Sequence, residues 1–184
     1  MSYIVEAPVA EKEPEIFSSI RTAFGFVPNF FRAQHQRLDL VEAEVGLIDT
    51  ILIKEVGLTR AQKEYIFLVC SAADLSTYCL TAHCEMVRML HIEGPEPEQI
   101  AVDHLQADIS VADKALLNFA LKLNREPKKI ERRDIDALRT YGFSDPQIVE
   151  AIVMVGLSKF STTISFGLGT VPDFDSTRVL QALK

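Results

Sequence analysis

The chain has 184 residues, 48% of them hydrophobic and 24% charged, ordinary globular usage that excludes a disordered or collagen-like polypeptide. Nineteen basic residues against 26 acidic ones leave a net charge of −7. That argues against a nucleic-acid footprint, because phosphate binding needs a clustered basic surface.

The basic pairs Lys128-Lys129 and Arg132-Arg133 are interleaved with acids and fit a solvated helix start. No apolar run approaches the roughly 18 residues that span a bilayer, and Met1 to Val9 lacks the basic and apolar regions of a secretory signal. The expectation is a cytoplasmic protein with no membrane or nucleic-acid partner. Cys70, Cys79 and Cys84 are too few and too uneven for a disulfide scaffold. Each then has to be core, ligand or nucleophile.

Glycine and proline punctuate the chain sparsely: 36 residues between Gly57 and Gly94, and 29 between Pro97 and Pro127, contain neither. Such stretches are several times the length of a typical strand of about 5–6 residues, and their i, i+3, i+4 apolar spacing favours helices. No Asn-Gly or Asp-Gly hairpin turn occurs. The predicted fold class is all-α.

In chain order, the first helix runs from Glu13 to Phe24 and ends at Gly25. Asn29 opens a longer one toward Lys54. Thr59 and Gln62 form a capping box before the apolar run Tyr65 to Ala73. Ser76 is the next N-cap, with a helix to about Ile92. Ser110 caps a helix through Leu123, Glu131 to Tyr141 forms another, and Ser144 with Gln147 caps a buried helix through Phe160. A segment from Thr162 to Leu168 and a short helix from Ser176 close the chain.

An internal echo at a spacing of 85 pairs Gly57-Leu58-Thr59 with Gly142-Phe143-Ser144, and Ser76-Thr77 with Ser161-Thr162. Two related helical-hairpin halves in a single 1–184 domain would account for it. The divisions are an N-terminal extension at about 1–56, a hairpin at about 57–93 and a second half at about 98–184, with Gly94-Pro95-Glu96-Pro97 as a rigid connection.

The chemistry-bearing residues lie between Glu64 and Met86. With Ser76 as N-cap, Cys79 is at the third helical position, where the helix dipole favours thiolate. His83 lies one turn further on the same face, with Met86 and Leu90 continuing the stripe and Thr81, Glu85 and Arg88 opposite. Cys79 and His83 are either core filling or a reactive pair. If the preceding helix packs antiparallel, Glu64 can approach them and orient His83, or carry a proton with a pKa raised by burial. Glu64 pairing simply with Lys63 or Arg60 is the bland alternative.

Glu64, eleven residues, Ser76-Thr77-Tyr78-Cys79, then Leu80-Thr81-Ala82-His83 resembles the Glu-x11-Cys-x2-Cys-x3-His pattern of the carboxymuconolactone decarboxylase-like superfamily, especially its alkylhydroperoxidase D (AhpD) branch. The flanking Ser71-Ala72-Ala73 and Tyr78-Cys79 are also similar to that branch, and the Phe24 to Phe31 segment and the Ala115 to Asp145 stretch resemble its peroxidase-related subgroup. The resemblance implies an all-α bundle that forms homo-oligomers. It also implies a second cysteine that attacks hydroperoxide, a first that resolves the sulfenic acid as a disulfide, and a Glu/His proton relay. Carried over, Cys79 is the nucleophile, with Glu64 and His83 in the relay and no cofactor.

The departure is Ser76, which stands where the resolving cysteine belongs, so no Cys-x-x-Cys disulfide can form. Cys84 is about 7.5 Å along the helix axis from Cys79, and a disulfide needs Cα atoms about 4.4–6.8 Å apart. Cys70 could approach across the turn but fits apolar packing better. An external thiol reductant is chemically sufficient, with Ser76 serving as cap and thiolate hydrogen-bond partner.

Rival readings remain. Cys79, His83 and Glu64 are just enough for a three-ligand zinc site, although His35, His91 and His104 are isolated; metal-free chemistry is preferred. A proton-transfer enzyme such as a lactone decarboxylase would need no resolving cysteine. A non-catalytic ligand-binding member is the third possibility. The phenylalanines of Phe24 to Phe31 either line a pocket or subunit interface or staple a helix start to the core. Gly167-Leu168-Gly169 is a helix terminator rather than a phosphate loop. The leading expectation is a thiol-dependent peroxidase acting on a hydroperoxide or another small molecule.

Overall fold

The computed structural model describes residues 2–4 and 13–184; most of the Met1 to Val9 stretch considered above lies outside them. Among the described residues ten α-helices follow in order: α1 (Glu15–Phe24), α2 (Asn29–Arg32), α3 (Leu38–Ile48), α4 (Arg60–Ala73), α5 (Thr77–Met89), α6 (Pro97–Asp103), α7 (Val111–Arg125), α8 (Arg132–Thr140), α9 (Asp145–Leu168) and α10 (Thr177–Ala182). No strand occurs among the described residues. The fold is all-α.

Helix α4 is the centre. Every residue from Lys63 to Ala72 is buried, because α5, α6, α7 and α9 all pack on it; the run from Tyr65 to Cys70 is apolar on every side, and the buried Lys63 and Glu64 are charge-paired. Truncating a fully buried member such as Leu68 to alanine would cost about 2–5 kcal/mol. Helix starts follow their caps. Thr59 and Gln62 make the expected capping box, Ser110 accepts from the Asp113 amide, and Ser144 and Gln147 form a second box.

The turn between α4 and α5 places the site. The Ser76 amide donates to Ser71 O at 2.9 Å and the Leu75 amide to Ala72 O at 3.1 Å, the paired bonds of a Schellman ending. Leu75 takes the left-handed position, at φ 55°, which is unusual for a side chain with a Cβ. The next residue, Ser76, is already the N-cap of α5. One tight turn therefore ends one helix, starts the next and folds α5 back along α4.

Two clusters make up the core. Leu80, Cys84 and Val87 of α5 belong to the main one around α4. Tyr78 and Cys79 belong to a smaller one with Ile20, Val27, Phe30, Phe31 and Val41 from the N-terminal helices. Helix α5 is thus a partition, with Cys79 on the side of the N-terminal cluster.

Several expected elements differ. The long helix from Asn29 toward Lys54 is broken into α2, a 3-10 turn (His35–Arg37), α3 and a π turn (Asp49–Ile53). At the first break the Gln34 side chain donates to Phe30 O at 3.3 Å and to Glu44 at 2.8 Å, side-chain bonding that competes with continued helix. Ser161 starts no new helix: α9 runs unbroken through it. Two of its hydroxyls bond within the helix, Thr163 donating to Lys159 O and Ser165 to Ser161 O. Helix α6 was not anticipated; Pro97 sits at its first position, where a missing N–H costs nothing. Thr81 is buried rather than facing out, because α6 and α10 cover that side of α5.

Although no uninterrupted apolar run reaches membrane-spanning length, α9 is long and apolar enough on average to cross a bilayer, a test that buried core helices also pass. Here Ala151, Met154, Val155, Ser158 and Thr162 are buried, while Val149, Val153, Phe160 and Phe166 stay exposed. An open groove of about 730 Å³, lined by Leu40, Glu44 and Leu47 of α3 and by Phe160, Ile164 and Leu168 of α9, lies apart from Cys79.

Candidate active site

The Cys79 side chain is 3% exposed. Its amide donates to the Ser76 hydroxyl at 3.4 Å, so Ser76 is the cap the sequence implies. The sulfur has two further hydroxyl neighbours, both from α9: Thr162 donates to Sγ at 3.7 Å, and Ser165 Oγ lies at 3.6 Å. The Ser165 proton is directed to Ser161 O at 2.9 Å, which leaves its lone pairs facing the thiol. When the thiol proton leaves, that hydroxyl can turn toward the sulfur. Sequence reasoning missed Thr162 and Ser165; more than 80 residues separate them from Cys79, and only the packing of α9 on α5 brings them in.

Glu64 and His83 meet as the antiparallel reading requires, His83 Nδ1 lying 2.6 Å from Glu64 Oε2. Arg60, one turn back on α4, donates from Nε to Glu64 Oε1 at 2.7 Å. Glu64 therefore makes both contacts that the sequence offers as alternatives, because the carboxylate has an oxygen for each partner. Lys63 turns away, buried on Glu150 at 2.6 Å and on the Lys54 carbonyl.

Burial of Glu64 would push its carboxyl up, but the charges and hydrogen bonds of His83 and Arg60 outweigh burial and hold it below the ordinary carboxylate range. The expectation of a raised pKa is corrected: Glu64 is held ionised between His83 and Arg60. The imidazole is stacked on Phe67, ring centroids 3.8 Å apart and planes 15° apart, so its tilt is fixed from two directions.

Cys79, His83, Glu64 and Arg60 line one small cavity of about 110 Å³. Phe24, Phe30, Phe31, Phe67 and Tyr78 supply its aromatic walls. The Phe24 to Phe31 segment thus both lines a pocket and staples the core. Tyr78 donates to Asp173 at 2.8 Å and accepts from the Phe30 amide at 3.0 Å. Burial, then the Asp173 charge, drives its phenol pKa upward, so it remains a donor. Asp173 also accepts from the Asn29 amide at 2.9 Å, fastening the C-terminal segment over this wall.

Cys70 and Cys84 are fully buried. Burial pushes the Cys70 thiol up to about 12; burial and the nearby Glu98 push Cys84 up as well. All three cysteines are free. Among the described residues no group of three or more His, Cys, Asp and Glu gathers as a metal-holding cluster.

This all-helical arrangement is that of the AhpD-like proteins of the carboxymuconolactone decarboxylase superfamily, and the chain has that fold. An uncharacterized peroxidase-related protein from Ralstonia eutropha JMP134 with an alkylhydroperoxidase AhpD core is 28% identical, over 95% of this chain and 94% of that one, with a TM-score of 0.86. An uncharacterized peroxidase-related protein from Silicibacter sp. TM1040 is 24% identical, over 92% and 91% of the two chains, with a TM-score of 0.84. A cysteine-to-alanine variant of the debrominase Bmp8, in complex with 2,3,4-tribromopyrrole, shares the fold over 100% of both chains at 18% identity and a TM-score of 0.82. No family model and no curated protein sequence matches the chain.

Proposed function

We propose that the chain is a one-cysteine, thiol-dependent hydroperoxide reductase with Cys79 as its nucleophile. The observation that carries this reading is the joint opening of Cys79 and the Glu64–His83 pair onto one small cavity. The Cys79 thiolate attacks the terminal oxygen of ROOH, the S–O bond forms as the O–O bond breaks, and the alkoxide leaves as ROH with a proton relayed through His83. Glu64 holds the imidazole for that transfer. Thr162, Ser165 and the Ser76 cap stabilise the sulfur while it is charged. An external thiol then attacks the sulfenic acid, releasing water and forming a mixed disulfide. A second thiol returns Cys79 to the reduced state and departs with the first as a disulfide.

The test is intact mass after stoichiometric hydroperoxide with a sulfenic-acid trap, on wild type and Cys79→Ser. A trapped adduct present in wild type and absent in Cys79→Ser supports the reading; an unmodified, folded wild type overturns it. A second reading, a proton-transfer enzyme of the lactone decarboxylase kind, draws support from Glu64–His83 being a complete base pair without the sulfur. It requires activity that survives Cys79→Ser and is lost in His83→Ala.

A further inference from the structure

We propose that Arg60 makes the Cys79 cavity selective for a small ligand carrying one anionic group of the carboxylate kind. The inference rests on this cavity being the substrate site, and it concerns which substrate enters rather than what happens to it.

Arg60 is the first residue of α4. Its side chain is only 15% exposed, and its Nε is fixed on Glu64 Oε1. The fork of a guanidinium carries further N–H donors, and the terminal amino groups of Arg60 have no acceptor among the described residues. The residue lines the cavity, whose remaining surface is largely phenylalanine, leucine, isoleucine and methionine. Those amino groups still reach solvent, so between apolar walls they are open to a ligand that supplies acceptors.

Glu64 does not do so. One of its oxygens serves Arg60 and the other His83, so a single carboxylate is shared between two donors. Ser161 is the one other polar side chain in the lining outside the site residues already named. The ligand class these donors suit is an anion that accepts from the guanidinium fork, the geometry for which arginine is best suited.

Cavity size limits the rest of the ligand. A dry cavity of about 150 Å³ admits benzene, and typical drug-sized pockets begin near 300 Å³. About 110 Å³ is smaller than that benzene cavity, but the pocket opens to solvent, so it takes a short alkyl group or one edge of a single small ring, with the charged end at Arg60. The chain of a lipid hydroperoxide would have to lie outside it.

The probes are benzoate and its neutral isostere benzamide, titrated calorimetrically at fixed pH and ionic strength against wild type, Arg60→Gln, Arg60→Lys and Arg37→Gln. Wild type should bind benzoate about 10–100-fold more tightly than benzamide. Arg60→Gln should bring that ratio close to one while keeping benzamide affinity, and Arg60→Lys, which keeps the charge but loses the fork, should fall between. Arg37→Gln, at an exposed arginine on the separate groove, should leave the ratio unchanged.

Amide shifts in wild type locate the ligand without any variant: benzoate should move Ala82 and His83 and leave Arg37 in place. A ratio near one in wild type, a ratio that persists in Arg60→Gln, shifts confined to the other groove, or no binding at millimolar probe each overturns the proposal. Because no turnover is read, benzoate selectivity together with an inert Cys79 would reject the peroxidase reading alone.

Discussion

Glu64 and His83 lie 19 residues apart in the chain and 2.6 Å apart in space, and the turn at residues 74–76 is what closes that gap. The left-handed Leu75 reverses the chain within a single turn, so positions near the start of α4 face positions in the middle of α5. The carboxylate then orients an imidazole that shares its helix face with Cys79. Replacing Glu64 removes the shared acceptor of two donors.

Glu64→Gln should therefore destabilise the fold by about 3 kcal/mol, as expected for a buried charged pair losing one partner. The pH dependence has a definite sign. The folded pKa of Glu64 is lowered below its ordinary 4.5, so its contribution is fully present above that value and is lost as pH falls through the folded value. Denaturant melts from pH 7 down to pH 3 should show a steeper acid loss in wild type than in Glu64→Gln. Parallel curves would remove Glu64 from the acid limb.

The two fully buried thiols should be silent in the native state. Iodoacetamide at pH 8 should leave Cys70 and Cys84 unlabelled, since burial raises both thiols and the reactive form is the thiolate. Peptide mass mapping before and after urea unfolding checks this. Native labelling of either site would reopen it as a resolving cysteine.

Thr162→Val and Ser165→Ala should each slow sulfenic-acid formation at Cys79 by about tenfold, the rate equivalent of one lost hydrogen bond of about 1–1.5 kcal/mol. Thermal stability should move by no more than about 1 kcal/mol in either variant. Because both hydroxyls address the same sulfur, the double variant should lose less than the product of the two. Stopped-flow peroxide consumption under single-turnover conditions reads all three.

Tyr78→Phe should release the C-terminal segment. The hydroxyl joins Asp173 to the Phe30 amide, so its removal leaves both without that partner and costs about 1–3 kcal/mol. Hydrogen exchange should quicken at Phe30 and around residues 171–174 while the centre of α4 keeps its protection. Unchanged exchange there would show that Asn29 and Asp173 hold the segment alone.

The all-α class, the capping boxes at Thr59 and Ser144 and the Ser76 cap were legible in the sequence because they depend on residues within one turn of each other. Cys79, His83 and Glu64 were legible as a group because helical periodicity and one short turn relate them. Thr162 and Ser165 were not, since no local pattern says which face of α9 meets α5. The break at Gln34 escaped notice for a similar reason: a glutamine inside a helical pattern gives no sign that Glu44 will capture its side chain. The sign of the Glu64 shift depended on having His83 and Arg60 at once, where local spacing suggested them only as alternatives.

Helix α9 also acts as a ruler. Near its start, Glu150 binds Lys63 and caps the Leu58 amide at 2.6 Å, where Gly57 leaves room because a Cβ there would lie 2.6 Å from the carboxylate. Twelve residues on, Thr162 reaches Cys79, and beyond Leu168 the helix ends at the left-handed Gly169. An α-helix advances about 1.5 Å and turns about 100° per residue. One inserted or deleted residue between Glu150 and Thr162 would therefore swing both hydroxyls off the sulfur while the helix start stayed anchored. That interval can change its residue types much more freely than its length.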